Sequence, residues 1–159
     1  MFGQILWVIK MEKSFFCATE TDTQNLGLRL SKIAQKGDVF ALYGTLGMGK
    51  SVLSRAFIKS LTSADDVPSP TFTLVQTYEA DGFDIYHFDL YRLNNQDEVF
   101  ELGLEDAIYS GVCLIEWPEK AGNWLPKDIF SIQITPEKDG RTIKIVAGSE
   151  EKSKRLEAV

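Results

Sequence analysis

The sequence is short of the side chains on which most metal and redox chemistry depends. It holds one histidine, His87, and two cysteines, Cys17 and Cys113. A lone histidine excludes any mechanism that needs a histidine pair. The cysteines are far apart and have no Cys or His at metal-ligand spacing, so they read as two buried cytosolic thiols rather than a disulfide framework. Basic charge is also scarce: 17 Lys and Arg stand against 23 Asp and Glu, a net charge of −6. A protein that grips a nucleic-acid backbone unaided carries a basic stripe, because neutralising phosphates supplies most of the affinity. None is visible here, so any RNA is expected to be held by a partner. No apolar run approaches the ~20 residues of a membrane span. The opening MFGQILWVIK lacks the basic start and small-residue cleavage site of a secretory signal. With Met11 just after it, residues 1–11 read as an N-terminal extension, and the expected location is cytoplasmic.

What is present is ordinary for a globular chain: 159 residues, 44% hydrophobic and 25% charged, enough for one domain over 1–159 with a real core. Thr21 or Asp22 is placed to cap a helix with Leu26, Leu30 and Ile33 on one face, ended by Gly37. Val39–Tyr43 reads as a buried strand, and Ser51–Leu61 as a second helix. Ser63–Pro70 is polar and proline-bearing, a loop. Thr73–Tyr78 and Phe83–Leu90 form a hairpin around Asp81-Gly82, and Ile129–Thr135 and Thr142–Val146 form another around Lys138-Asp139-Gly140. Asn94–Ile108 is acidic and helical, broken near Gly103, and Val112–Trp117 is a further buried strand. The tail 149–159 is charged and expected to fray. The sum is an α/β fold with a mixed, partly parallel sheet and two β-hairpins; with Gly44–Ser51 matching G-x-x-x-x-G-K-[ST] between the strand Val39–Tyr43 and the second helix, a three-layer arrangement of the P-loop NTPase kind is expected.

The chemistry concentrates at Gly44-Thr45-Leu46-Gly47-Met48-Gly49-Lys50-Ser51, which fits G-x-x-x-x-G-K-[ST] at every fixed position. Glycines let the backbone wrap a phosphate with its N–H groups inward, and the following helix points its positive end at the same anion. Lys50 is expected to reach the β- and γ-phosphates, and the Ser51 hydroxyl to ligate Mg²⁺. A nucleotide site of this kind also takes carboxylates at the ends of neighbouring strands. Glu116 closes Val112-Cys113-Leu114-Ile115, and Asp89 closes Ile85-Tyr86-His87-Phe88. Both are candidate acids for Mg²⁺, either ligating it directly or orienting the groups that do, although either would also serve simply to solvate a strand end. His87 alternates with apolar residues and reads as packed or paired. Hydroxyls at Ser69, Thr71 and Thr73 lie where a switch loop would approach the γ-phosphate, or else form a plain proline turn. Arg92 and Arg141 are each able to supply positive charge to a phosphoryl group or to form a surface ion pair.

Four blocks in order, GTLGMGKS, VPSPTFTLVQTYE, IYHFDLYRL and CLIEWPEKAGNWLP, resemble the TsaE family (formerly YjeE) from about Phe15 to Ile145. These are bacterial ATPases needed for threonylcarbamoyladenosine at position 37 of tRNAs reading ANN codons. The resemblance implies ATP and Mg²⁺ as ligands, slow intrinsic hydrolysis, and TsaD-like and TsaB-like partners, the former carrying the transfer chemistry. Motif by motif, it makes Ser51 the hydroxyl metal ligand, Glu116 the second metal-site acid and Asp89 the acid near the γ-phosphate. It sets Thr21 near the base and Trp117 directly after the acid. The expected catalytic residues are thus Lys50, Asp89 and Glu116. The nucleotide is expected to be held by Thr21, Gly44 to Ser51, Thr71, Trp117 and Arg141. Met48 and Ser51 stand where alanine and threonine are usual. Two other functions fit the same loop: a small-molecule kinase, disfavoured because Arg92 is the only arginine between Pro68 and Leu102, and a nucleotide-state interaction module with negligible turnover.

Overall fold

The computed structural model describes residues 10–45 and 47–159. The extension before residue 10, and Leu46 of the glycine loop, lie outside the described residues. Along the chain run β1 (Glu12–Cys17), α1 (Glu20–Ile33), β2 (Val39–Tyr43), α2 (Lys50–Leu61), β3 (Val75–Glu79) and β4 (Asp84–Asp89). They are followed by α3 (Glu98–Glu101), α4 (Leu104–Ser110), β5 (Gly111–Glu116), a 3-10 segment (Pro118–Trp124), β6 (Phe130–Glu137), β7 (Gly140–Ala147) and α5 (Glu150–Leu156). The strands form one sheet ordered β1-β7-β6-β2-β5-β4-β3.

β2 lies at the centre, parallel to β5 on one side and β6 on the other, and β4 runs parallel to β5. A strand covered on both faces needs no polar alternation, which is why VFALY is continuously apolar. Phe40 and Leu42 pack with Leu26 and Leu30 of α1 and Leu53 and Phe57 of α2. Val39 and Ala41 pack on the opposite face with Leu104, Ala107 and Ala121. Phe40 stacks on Phe130 at 4.8 Å and meets Phe57 edge-on at 5.1 Å. α1 and α2 approach closely at Gly27, where a Cβ would come within 2.7 Å of the Leu53 carbonyl oxygen. The antiparallel pairs β3–β4 and β6–β7 are the two hairpins. Among the described residues, no helix is long and apolar enough to cross a membrane.

Four expectations need correction. α1 starts earlier than Thr21: Thr19 is its cap, and the Thr19 hydroxyl and Asp22 carboxylate each accept a backbone N–H of the other residue. Such a reciprocal box satisfies two end donors at once, so it prevails over a cap inside the first turn. α1 also ends at Ile33, and Gly37 instead turns the chain into β2, its N–H bonded to the Gly111 carbonyl at 2.8 Å. A strand absent from the sequence reading, β1, pairs with β7 at the sheet edge. Met11 is part of the fold rather than of an extension: its N–H donates to Ser153 Oγ, and its carbonyl accepts from Ala147.

The fourth correction is the largest. The tail does not fray but forms α5, capped by Ser149, with Leu156 and Val159 in the core. Arg155 explains it. Its guanidinium forks onto Asp38 at 2.6 and 2.8 Å, and Asp38 is only 3% exposed at the entrance to β2. That bond holds the Arg155 pKa above its ordinary value, outweighing the opposing effect of burial. Removing one partner of a buried pair leaves a charge uncompensated, typically costing about 3–5 kcal/mol. Lys152 and the Gln35 N–H also face Asp38, so the lower end applies. Arg155→Ala is therefore expected to lower unfolding free energy in urea by about 3 kcal/mol, whereas Glu151→Ala, an exposed partner of the same arginine, should cost at most ~1 kcal/mol. Equal effects would remove Asp38 as the anchor.

Candidate functional site

Three parallel strands deliver the site. The glycine loop leaves β2 at Tyr43, and Glu116 ends β5 in register with Leu42 of β2 on one side and Asp89 of β4 on the other. Loop and both acids therefore sit at the carboxyl edge of the sheet, where parallel α/β sheets bind ligands. Gly49 precedes α2 in the left-handed region (φ 101°), and no side chain caps the N–H groups of the first turn. The cavity at this edge has a volume of about 380 Å³. It is lined by Gly47 to Val52, by Ser69, Thr71 and Asp89, and by Glu116, Trp117, Glu20 and Arg141.

The acids are buried but not unsatisfied. Glu116, 2% exposed, accepts from the Ser51 hydroxyl at 3.2 Å on Oε1 and meets His87 Nε2 at 2.6 Å on Oε2. Asp89, 5% exposed, accepts from the Thr71 hydroxyl at 2.9 Å and from the Tyr91 N–H at 3.0 Å. Ser69 and Thr71 share a hydrogen bond of 2.7 Å. Thus the Pro68–Thr73 loop is tied to one acid and the glycine loop to the other.

Lys50 is buried beside them. Its ammonium donates to the Gly44 carbonyl and sits 3.6 Å above the Trp117 ring. Trp117 reaches that position through a left-handed backbone (φ 58°), rare for a bulky residue, and Tyr91 packs against its ring at 5.0 Å. Burial pushes the Lys50 pKa down, with Glu116, Glu119 and Asp89 pulling the other way.

The donor set is made of oxygens: one hydroxyl and two carboxylates. Among the described residues no group of three or more His, Cys, Asp or Glu is placed to hold a metal unaided. Mg²⁺ is usually held by one or two carboxylates together with substrate phosphates, and Ser51, Glu116 and Asp89 fit that sharing. Sulfur-loving metals find nothing here, and Cys113 is a core residue whose thiol is pushed up to about 12 by burial.

Most residues anticipated from sequence meet at this cavity: Gly47, Met48, Gly49, Lys50, Ser51, Thr71, Asp89, Glu116, Trp117 and Arg141. Gly44 and Thr45 do not line it, though Gly44 anchors Lys50. Thr21, set near the base by the resemblance, is not among the lining residues, whereas Glu20, the first residue of α1, is. Arg141 donates to Thr23 at 3.2 Å, tying β7 to α1 beside the loop. Arg92 instead stacks on the exposed Phe72 ring at 4.2 Å. The His87–Glu116 contact was foreshadowed only by the period-2 pattern of β4, which turns His87 and Asp89 to the same face.

A family model described as Threonylcarbamoyl adenosine biosynthesis protein TsaE matches residues 17–143. The chain belongs to the TsaE family. The matched span contains every residue lining the TsaE cavity, from Glu20 to Arg141, and stops before α5. Sequence identity is 35% over 136 residues to the tRNA threonylcarbamoyladenosine biosynthesis protein TsaE of Rickettsia felis, covering 84% of this chain and 80% of the relative. It is 39% over 114 residues to the TsaE of Haemophilus influenzae, covering 71% and 72%. The crystal structure of Bacillus subtilis YdiB superposes with a TM-score of 0.79 at 26% identity, covering 94% of each chain. The fold is thus that of the P-loop NTPase-like TsaE proteins.

The position of Lys50 has a consequence for pH. With its folded pKa lowered, the unfolded chain binds more protons at alkaline pH, so stability rises as pH climbs from the folded Lys50 pKa toward the ordinary 10.5. Lys50→Met removes that component. Urea unfolding of parent and variant at stepped alkaline pH should show the parent gaining on the variant; parallel curves would mean that the Lys50 ammonium is fully solvated.

Proposed function

We propose that this chain is the ATP-binding and hydrolysing subunit for threonylcarbamoyladenosine formation at position 37 of tRNAs reading ANN codons. In this reading it is a Mg²⁺-dependent ATPase of the cytoplasm, slow alone and working through TsaD-like and TsaB-like partners. The observation that carries it is the bridge from the glycine-loop helix to the strand acid, Ser51 to Glu116, facing the Thr71–Asp89 pair across one cavity. Backbone N–H groups of the loop and α2 bind the phosphates, and Lys50 balances their charge. Ser51 and Glu116 would hold Mg²⁺, which would draw charge from the phosphate oxygens. Asp89, oriented by Thr71 and Tyr91, is the acid available to hold an attacking water by its hydrogens. Trp117 and Arg141 line the same cavity beside these groups.

The net charge of −6 supports indirect contact with tRNA, the partners supplying the RNA grip. A small-molecule kinase is less well supported: charge stabilisation is most of phosphoryl-transfer catalysis, and Arg141 is the one arginine among the described lining residues. An interaction module with negligible turnover shares the same pocket and differs in rate alone.

Single-turnover hydrolysis with and without the partners separates these readings. Slow turnover alone that quickens with partners is expected; none under either condition would leave the interaction module. Lys50→Ala should weaken ATP binding by about 2–4 kcal/mol, the scale of losing one partner of a desolvated charge contact. Glu116→Gln and Asp89→Asn should each slow hydrolysis about 10–100-fold while changing ATP affinity less. Parent rates in both amides would reduce the acids to strand-end solvation.

A further inference from the structure

We propose that His87 is a positioning residue for this site, acting through Glu116 and resting on the ATPase reading above. His87 is 2% exposed and does not line the cavity, so it does not touch what binds there. Its Nε2 lies 2.6 Å from Glu116 Oε2, while the other carboxylate oxygen, Oε1, accepts from Ser51. A carboxylate has only acceptors, so Nε2 carries the hydrogen and donates it. Nδ1 is buried and has no hydrogen-bond partner among the described residues. The hydrogen bond this pocket provides for the ring is therefore the one from Nε2–H to Glu116.

The consequence is a division of labour between the two oxygens of one acid. His87 occupies Oε2 from inside the sheet, fixing the rotation of the carboxylate. Oε1 is thereby turned to Ser51 and the mouth of the cavity, where a phosphate-bound cation would be shared. Ligating acids and imidazoles elsewhere depend on such outer partners, whose loss costs about 10–100-fold in affinity or activity. A phenylalanine would fill the same volume without donating, whereas a glutamine amide donates from nearly the position of Nε2.

The single histidine of the chain makes the test unambiguous. Imidazole nitrogen NMR of the nucleotide-free full chain should show a protonated Nε2 whose proton is strongly deshielded, and Glu116→Gln should move that proton upfield. A protonated Nδ1 with bare Nε2, or no response to Glu116→Gln, would overturn the proposal. In single-turnover hydrolysis with partners, His87→Phe should be slower by about 10–100-fold with ATP affinity near that of the parent, and His87→Gln should recover most of the rate. Equal rates for Phe and Gln, both fast or both slow, would also overturn it. Should His87→Phe fail to fold, a folded His87→Gln that is as slow as Glu116→Gln would overturn it by itself. A parent without hydrolysis would sink the ATPase reading instead, and the spectrum would still decide the tautomer and the Glu116 bond.

Discussion

A carboxylate buried at the tip of a central strand sets the terms for everything around it. Glu116 is 2% exposed, and an ionised acid in such a place is tolerated only when its lone pairs are taken up by donors. The donors come from two different layers: Ser51 from the helix that follows the glycine loop, and His87 from the neighbouring strand. One side chain thereby ties α2, β4 and β5 together at the edge where the cavity opens. The parallel register makes this possible, since Leu42, Glu116 and Asp89 lie side by side on three adjacent strands. An antiparallel neighbour would have sent one acid to the opposite edge.

Lys50 is the counterweight. Burial disfavours its charge, while the acids around it favour the charge, and the Trp117 ring and Gly44 carbonyl supply the contacts that water would otherwise make. Holding a bulky residue at φ 58° costs on the order of 1–3 kcal/mol, and the surrounding packing must over-determine it. Tyr91 on one flank and the 3-10 segment opening at Pro118 do so. The same Tyr91 gives its N–H to Asp89, so the ring under the lysine and the orientation of the second acid share one support.

Much of this was legible in the sequence because it is written in local pattern. A continuous apolar run can be a strand covered on both faces, and a glycine loop between such a strand and a helix has a stated mechanism. Period two in IYHFD already assigns His87 and Asp89 to one face. What was illegible is long-range or ambiguous locally. The Arg155–Asp38 pair spans 117 residues of sequence, and without it SEEKSKRLEAV is merely a charged tail. β1 is an edge strand that alternates in burial, but its exposed face carries Phe16, 54% exposed, and its inner face begins at Lys13, so EKSFFC does not show the apolar–polar alternation by which a half-buried strand is read. The start of α1 was also ambiguous locally: Thr19, Thr21 and Asp22 are all capping residue types, and only the reciprocal Thr19–Asp22 hydrogen bonds decide among them.

The two ends of β2 show how stability reaches the site. At its entrance Asp38 is clamped by Arg155. At its exit Gly44 begins the loop and receives the Lys50 ammonium. Binding constellations are held better on rigid elements than on free loops, and a five-residue strand fixed at both ends, with Phe40 locked between Phe57 and Phe130, is such an element. α5 lies beyond the matched TsaE span, yet it supplies the clamp. It follows that a lesion in α5 would loosen the strand from which the glycine loop departs without touching any residue that lines the cavity, beginning at the Asp38–Cys113 hydrogen bond and the Val39–Cys113 pair and reaching Leu42 and Glu116 only through the strand.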